Sequence, residues 1–137
     1  MKDELNLRET GPIALAFVGD SVFDLFVRKR LVCSGVGRPK DLQRKASGYA
    51  RAESQAAMIR YLFEELTEEE QDVVRRARNA RQTPTKNADP AQYHRATGLE
   101  ALMGWLYLRG REARMKELME MALPDGEAPE GDKNASG

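Results

Sequence analysis

Between residues 11 and 27 the chain reads GPIALAFVGDSVFDLFV, and Asp20 and Asp24 are its only charged residues. Pro12 suits the first position of a helix, where a missing N–H costs nothing. At about 100° per residue, Asp20 shares a face with Ile13, Phe17, Phe23, Asp24, Val27 and Leu31, and the opposite face carries Leu15, Val18, Val22 and Leu25. A helix apolar all round is expected at the centre of a fold, packed on both sides. Asp20 then has no basic neighbour on its own helix nearer than Arg28. Taking an unpaired carboxylate out of water costs several kcal/mol, comparable with the ~1.5–3 kcal/mol returned by burying a neighbouring Phe or Val. Something must compensate Asp20.

The pattern recurs at 96–108, ATGLEALMGWLYL, where Glu100 is the only charge. Gly98 and Gly104 flank Glu100, and Gly19 precedes Asp20. Each glycine costs roughly 1 kcal/mol relative to alanine inside a helix, so its use suggests close approach of a second element. Two isolated carboxylates on two core helices are hard oxygen ligands of the kind a Mg²⁺ ion takes. Each could equally accept hydrogen bonds from a helix N-terminus or from an arginine elsewhere in the fold.

Apolar residues recur at spacings of three and four throughout, and Val and Ile nowhere alternate with polar residues for a strand's length, which predicts an all-α domain. Start and stop signals place helices near 12–32, 39–49, 53–65, 67–80, 90–108 and 111–122. They are the Gly11-Pro12 pair, Pro39, a capping box from Thr67 to Glu70, an Asp89-Pro90 N-cap and a Gly110 stop. With 137 residues the chain fits one domain, 1–123, followed by an acidic stretch, 124–137, whose composition predicts disorder. One cysteine, Cys33, excludes an internal disulfide and a cysteine-based zinc site, and one histidine, His94, excludes an H-E-x-x-H centre. Hydrolysis would have to lean on carboxylates. His94 and Cys33 are expected to have no chemistry, and Trp105 and Tyr107 to be core or dimer contacts. No stretch is apolar enough for a membrane span and the amino terminus has mixed charges, which points to a cytoplasmic protein.

Lys plus Arg and Asp plus Glu both number 22, so net charge steers nothing, but the charges are unevenly placed. Basic residues gather at 28–45 and again at Arg75, Arg76, Arg78, Arg81, Lys86 and Arg95, while acids concentrate at 64–70 and in the tail. These clusters are either ordinary solvated faces or, if they share one face, a stripe suited to the phosphates of a polyanion.

The segment ALAFVGDSVFD at 14–24 resembles the signature helix of ribonuclease III nuclease domains, and TGLEALMGWLYL at 97–108 is similar to that family's second acidic helix. Between them, Arg38-Pro39-Lys40-Asp41-Leu42, Arg78-Asn79-Ala80 and Pro84-Thr85-Lys86-Asn87-Ala88-Asp89 resemble the shorter bacterial branch, Mini-ribonuclease III. The resemblance covers roughly residues 10–120. It implies an all-α, homodimeric, Mg²⁺-dependent endonuclease that cuts double-stranded RNA to 5′-phosphate and 3′-hydroxyl ends, in a branch associated with maturation of large-subunit (23S) ribosomal RNA. Carried over by position, Asp20 and Glu100 are the metal-binding catalytic acids. Ala16 and Thr97 stand where fuller ribonuclease III enzymes have a glutamate and an aspartate, so one well-held Mg²⁺ is expected and a second stays open. Asp24 is expected to serve as a cap or interface residue.

Without space for a separate RNA-binding domain, RNA affinity is expected from the dimer's own basic surface, with Arg75, Arg76, Arg78, Arg81 and Lys86 as candidates, or from a ribosomal protein that presents precursor ribosomal RNA. A two-fold dimer would offer one Asp20/Glu100 site for each strand. Two other readings stand beside this one. One is a catalytically silent, ribonuclease III-like RNA-binding protein of ribosome assembly. The other is a helical interaction dimer whose seam is the apolar first helix.

Overall fold

The computed structural model describes residues 9–80 and 88–123, and within them every regular element is helical. In chain order these are α1 (Pro12–Cys33), α2 (Pro39–Ala50), α3 (Ala52–Leu62) with a 3₁₀ turn (Phe63–Glu65), α4 (Glu68–Arg78), α5 (Pro90–Leu108) and α6 (Glu112–Ala122). The expected all-α class is observed. Arg81, Lys86 and the acidic stretch 124–137 lie outside the described residues.

The ends follow the local chemistry. Prolines stand in the first turns of α1, α2 and α5, and Asp89 accepts from the amides of Ala91 and Gln92 at the start of α5. Thr67 and Glu70 close a reciprocal capping box at α4. α1 and α5 both end in a glycine with positive φ, Gly35 at 97° and Gly110 at 74°. Their amides bond back to Val32 and Tyr107, and the next residues, Val36 and Arg111, bond back to Leu31 and Leu106. This is the Schellman arrangement, and it needs a residue without a Cβ at that position. The expected helix at 53–65 ends earlier, at Leu62, because its last carbonyls find tertiary donors. Gln71 Nε2 donates to the Phe63 carbonyl at 2.9 Å, and Arg114 Nη2 donates to that of Glu65 at 3.1 Å.

α5 is the central helix, with α1, α3 and α4 packed around it. Leu99, Leu102, Met103 and Leu106 are fully buried, and Trp105 is buried beneath the guanidinium groups of Arg109 and Arg111. The glycines explain how three neighbours fit. A Cβ on Gly104 would lie 2.0 Å from the Leu15 carbonyl oxygen, and one on Gly19 would lie 1.6 Å from that of Glu100, so the α1 and α5 backbones touch. Gly98 serves α4 instead, facing Val74 and Arg78.

The expectation that α1 is packed on both sides is corrected. Leu15, Ala16, Gly19, Phe23, Val27 and Leu31 are buried against the core, whereas Phe17 is 81% and Leu25 69% exposed. The covered side cuts across the two faces read from periodicity: Leu15 comes from one and Phe23, Val27 and Leu31 from the other, while Phe17 and Leu25, one from each, stay exposed.

Candidate active site

The contact of Gly19 with the Glu100 carbonyl positions Asp20, the next residue along α1. The two backbones meet one residue before Asp20, so its side chain reaches the carboxyl of Glu100 and hydrogen-bonds it. The acids that the sequence singled out are thus brought together, at the mouth of an open cleft of about 370 Å³. Ala16 and Phe17 of α1, Gln55 of α3 and Tyr93 and Thr97 of α5 form its walls.

The two acids differ in their access to water, which corrects the expectation of a desolvated Asp20. Asp20 is exposed, and Glu100 is the partly buried member, its carboxyl pushed up to about 7. Burial is the largest cause, and the neighbouring Asp20 adds to it by repulsion and by accepting a hydrogen bond from the protonated form. Opposing them, the Gln55 side chain hydrogen-bonds the Glu100 carboxyl and favours its charged form. Gln55 is only 2% exposed, and its helix is anchored locally by the Ser54 hydroxyl, which donates to the Gly48 carbonyl at 2.8 Å.

Among the described residues no third His, Cys, Asp or Glu joins the pair in a group able to hold a metal ion. Ala16 and Thr97 line the same cleft, at the positions where the fuller pattern would carry further acids, and the Thr97 hydroxyl donates back to the Tyr93 carbonyl at 3.0 Å. Two carboxyls brought together, one of them pushed up chiefly by burial and further by the other, fit a small divalent cation: two hard oxygen donors with room for water or phosphate oxygens to complete its shell.

Asp24 stands apart from the cleft and pairs with Arg28 at 3.1 Å, a local helix-surface ion pair. His94 is half-buried, edge-on to Tyr93 at 5.6 Å between ring centroids, and does not line the cleft. The candidate RNA-binding residues Arg75, Arg76 and Arg78 are exposed on α4. The Arg75 guanidinium lies 5.4 Å from the centre of the Phe63 ring, and Arg76 is displaced from it by about 100° around the helix. Arg78 lines a small pocket with Arg60 and Arg95.

Gln55 is the site residue that the sequence reading missed. A signal for it existed: Gln55 stands three, four and seven residues before Met58, Ile59 and Leu62, a polar residue on the buried face of its helix. The same oddity drew attention to Asp20 and Glu100.

Comparison with known proteins identifies the family of the chain. The Ribonuclease III domain family model matches residues 13–111. Mini-ribonuclease 3 of Symbiobacterium thermophilum is 48% identical over 112 residues, 81% of this chain and 86% of the relative. Mini-ribonuclease 3 of Brevibacillus brevis is 42% identical over 115 residues, 83% of this chain and 86% of the relative. A crystal structure of a Fusobacterium nucleatum protein superposes with a TM-score of 0.78 at 27% identity, covering 90% of this chain and 98% of that one. The matched residues hold the α1/α5 crossing and both acids. The chain belongs to the ribonuclease III family, in its Mini-ribonuclease 3 branch.

Proposed function

We propose that this protein is a Mg²⁺-dependent endoribonuclease that cuts double-stranded RNA as a homodimer, in the cytoplasm, during maturation of large-subunit ribosomal RNA. The observation that carries the reading is the meeting of Asp20 and Glu100 in one open cleft, in a chain that belongs to a ribonuclease family.

Asp20 and Glu100 would hold the ion through their carboxylate oxygens. When bound, Mg²⁺ supplies Lewis-acid polarisation of the phosphodiester and lowers the pKa of a coordinated water. Gln55 keeps the Glu100 carboxyl turned into the cleft and favours its charged, ligating form. The exposed position of Asp20 leaves a path for a phosphodiester to enter from solvent. Hydrolysis adds water across the P–O3′ bond: the attacking oxygen stays on phosphorus, the 3′-oxygen takes a proton, and the products are a 5′-phosphate and a 3′-hydroxyl.

A second copy of the chain suits the exposed apolar side of α1. A groove of about 620 Å³ runs there, lined by Phe17, Val22, Leu25, Phe26, Tyr107 and Met115. Apolar patches of this kind on a soluble protein mark contact surfaces. Phe17 borders both this groove and the catalytic cleft, so a partner seated in the groove stands beside the site. A ribosomal protein that presents the precursor RNA would complete the assembly.

The test is cleavage of an end-labelled RNA duplex with Mg²⁺, beside an EDTA control and Asp20→Asn. The expected outcome is metal-dependent cutting that Asp20→Asn lowers at least a hundredfold while duplex binding and fold persist. An Asp20→Asn protein that cuts like the parent would falsify the assignment. A parent that binds the duplex with salt-sensitive affinity and never cuts it would favour the silent RNA-binding reading.

A further inference from the structure

We propose that Arg60, Arg78 and Arg95 together form a seat for one backbone phosphate of the RNA duplex, separate from the catalytic cleft. The inference rests on the double-stranded RNA reading and adds a binding site to it.

The three arginines come from three helices, α3, α4 and α5, and converge on a pocket of about 260 Å³. Its apolar floor is made by Ile59, Phe63 and Val74. One acid, Glu64, also reaches the lining, so cations outnumber anions there three to one. Among the described residues no ion pair forms at any of the three arginines. Several other arginines of the fold are paired, Arg28 with Asp24, Arg38 and Arg44 with Asp41, and Arg114 with Glu70 and Glu117, so what distinguishes Arg60, Arg78 and Arg95 is that three helices bring them to one pocket. Three arginines lining one small pocket with an apolar floor make it a place where an anion would be met by positive charge from three helices. A phosphodiester fits because guanidinium forks match phosphate oxygens in geometry as well as in charge.

Position along the helices sets its role. Arg95 lies five residues before Glu100 on α5, and Arg60 lies five residues after Gln55 on α3. Five residues are about 7.5 Å of rise and about 140° of rotation. The arginine pocket therefore opens toward α4, while the acids open toward α1. A phosphate held there belongs to a part of the duplex other than the bond being cut. The seat contributes to binding and register and leaves the chemical step alone. Arg78 was a candidate from its place in a basic cluster; Arg60, in a stretch without basic neighbours, was not.

The experiment uses Arg60→Gln, Arg95→Gln and the double variant, with Arg44→Gln as a control from the Asp41-paired surface of α2. Duplex affinity is measured by fluorescence anisotropy in EDTA over a range of salt concentrations, and cleavage is measured with Mg²⁺. Each single substitution is expected to weaken binding about tenfold, and the double variant to lower the slope of log Kd against log salt by at most about one, the share of a single phosphate. KM rises accordingly and kcat stays within about twofold. The double variant loses less than the product of the singles, because both groups hold one phosphate. Thermal unfolding should match the parent, since Arg60 is exposed and Arg95 half-buried without an ion pair among the described residues. Variants that bind with the parent's affinity and salt slope, or that lose no more than Arg44→Gln, overturn the seat and leave the functional reading standing. A parent that fails to bind the duplex overturns both.

Discussion

Glu100 ties the cleft to the pH of the solution. Its carboxyl is raised from an ordinary 4.5 to about 7, so between those values the folded protein holds a proton that the unfolded chain has released. A group that binds its proton more tightly when folded contributes stability that is full below about pH 4.5 and lost as pH rises through about 7. In EDTA, stability should therefore fall from about pH 5 to about pH 8 by roughly 2–3 kcal/mol more in the parent than in Glu100→Gln. Added Mg²⁺ should return much of the loss at the alkaline end by relieving the two carboxylates. Gln55→Leu removes the hydrogen bond that favours the charged form, so the midpoint should move upward in that variant and Mg²⁺ affinity should weaken, read by calorimetry. Parallel pH profiles for the parent and Glu100→Gln would show that the coupling is absent. Asp20 and Glu100 were legible in the sequence because a lone charge in an apolar stretch demands an explanation. Their unequal exposure was not legible, because it depends on which side of α1 is covered. Gln55 carries no charge, and a glutamine in a mixed helix resembles a surface residue until its neighbours are placed.

The crossing of α1 and α5 is the element on which the site depends. Gly104 and Gly19 each face a backbone oxygen of the other helix, and backbone does not yield as a flexible side chain does. Gly104→Ala should force the helices apart and cost about 3 kcal/mol or more, since overpacking a tight core costs ~1–3 kcal/mol even where side chains can adjust. Cleavage should fall with it, because the same separation draws Asp20 from Glu100. Gly98→Ala is the internal comparison. Its Cβ would meet Val74 Cγ1 at 3.0 Å and Arg78 Cγ at 3.3 Å, side-chain atoms that can shift, so its cost should stay within about 1 kcal/mol. Urea unfolding of the three proteins measures both, and a Gly104→Ala protein as stable as Gly98→Ala would refute the role given to the crossing. Helix starts and the Gly110 stop were readable because prolines, caps and glycines act locally. The end of α3 was not, because the donors that release its last carbonyls come from Gln71 and Arg114. Arg114 also holds Glu70 with two charged hydrogen bonds, at 2.9 and 2.8 Å, joining α6 to the start of α4. Burial pushes the Glu70 carboxyl up, and Arg114 and Thr67 together outweigh it and hold it below the usual range.

The single chain leaves one side of its most apolar helix without a cover. The sequence reading expected α1 to be packed on both sides; in one copy α5 supplies the first side, and the second carries Phe17 at 81% and Leu25 at 69% exposure. The proposed homodimer would reconcile the two, with the outer face of α1 meeting its symmetry mate. In a two-fold interface the same patch is used twice, so one substitution changes both sides of the seam. Leu25 borders the apolar groove and touches neither the Asp20/Glu100 cleft nor the arginine pocket. Leu25→Glu places two carboxylates in that seam without disturbing the core. Sedimentation should show the parent as a dimer at micromolar concentration and the variant as a monomer with unchanged helical circular dichroism. Cutting of both duplex strands by one bound particle should be lost in the variant, because each copy holds one Asp20/Glu100 pair. A monomeric parent at those concentrations, or a Leu25→Glu protein that remains dimeric, would place the second copy elsewhere and leave the apolar face of α1 for a different partner.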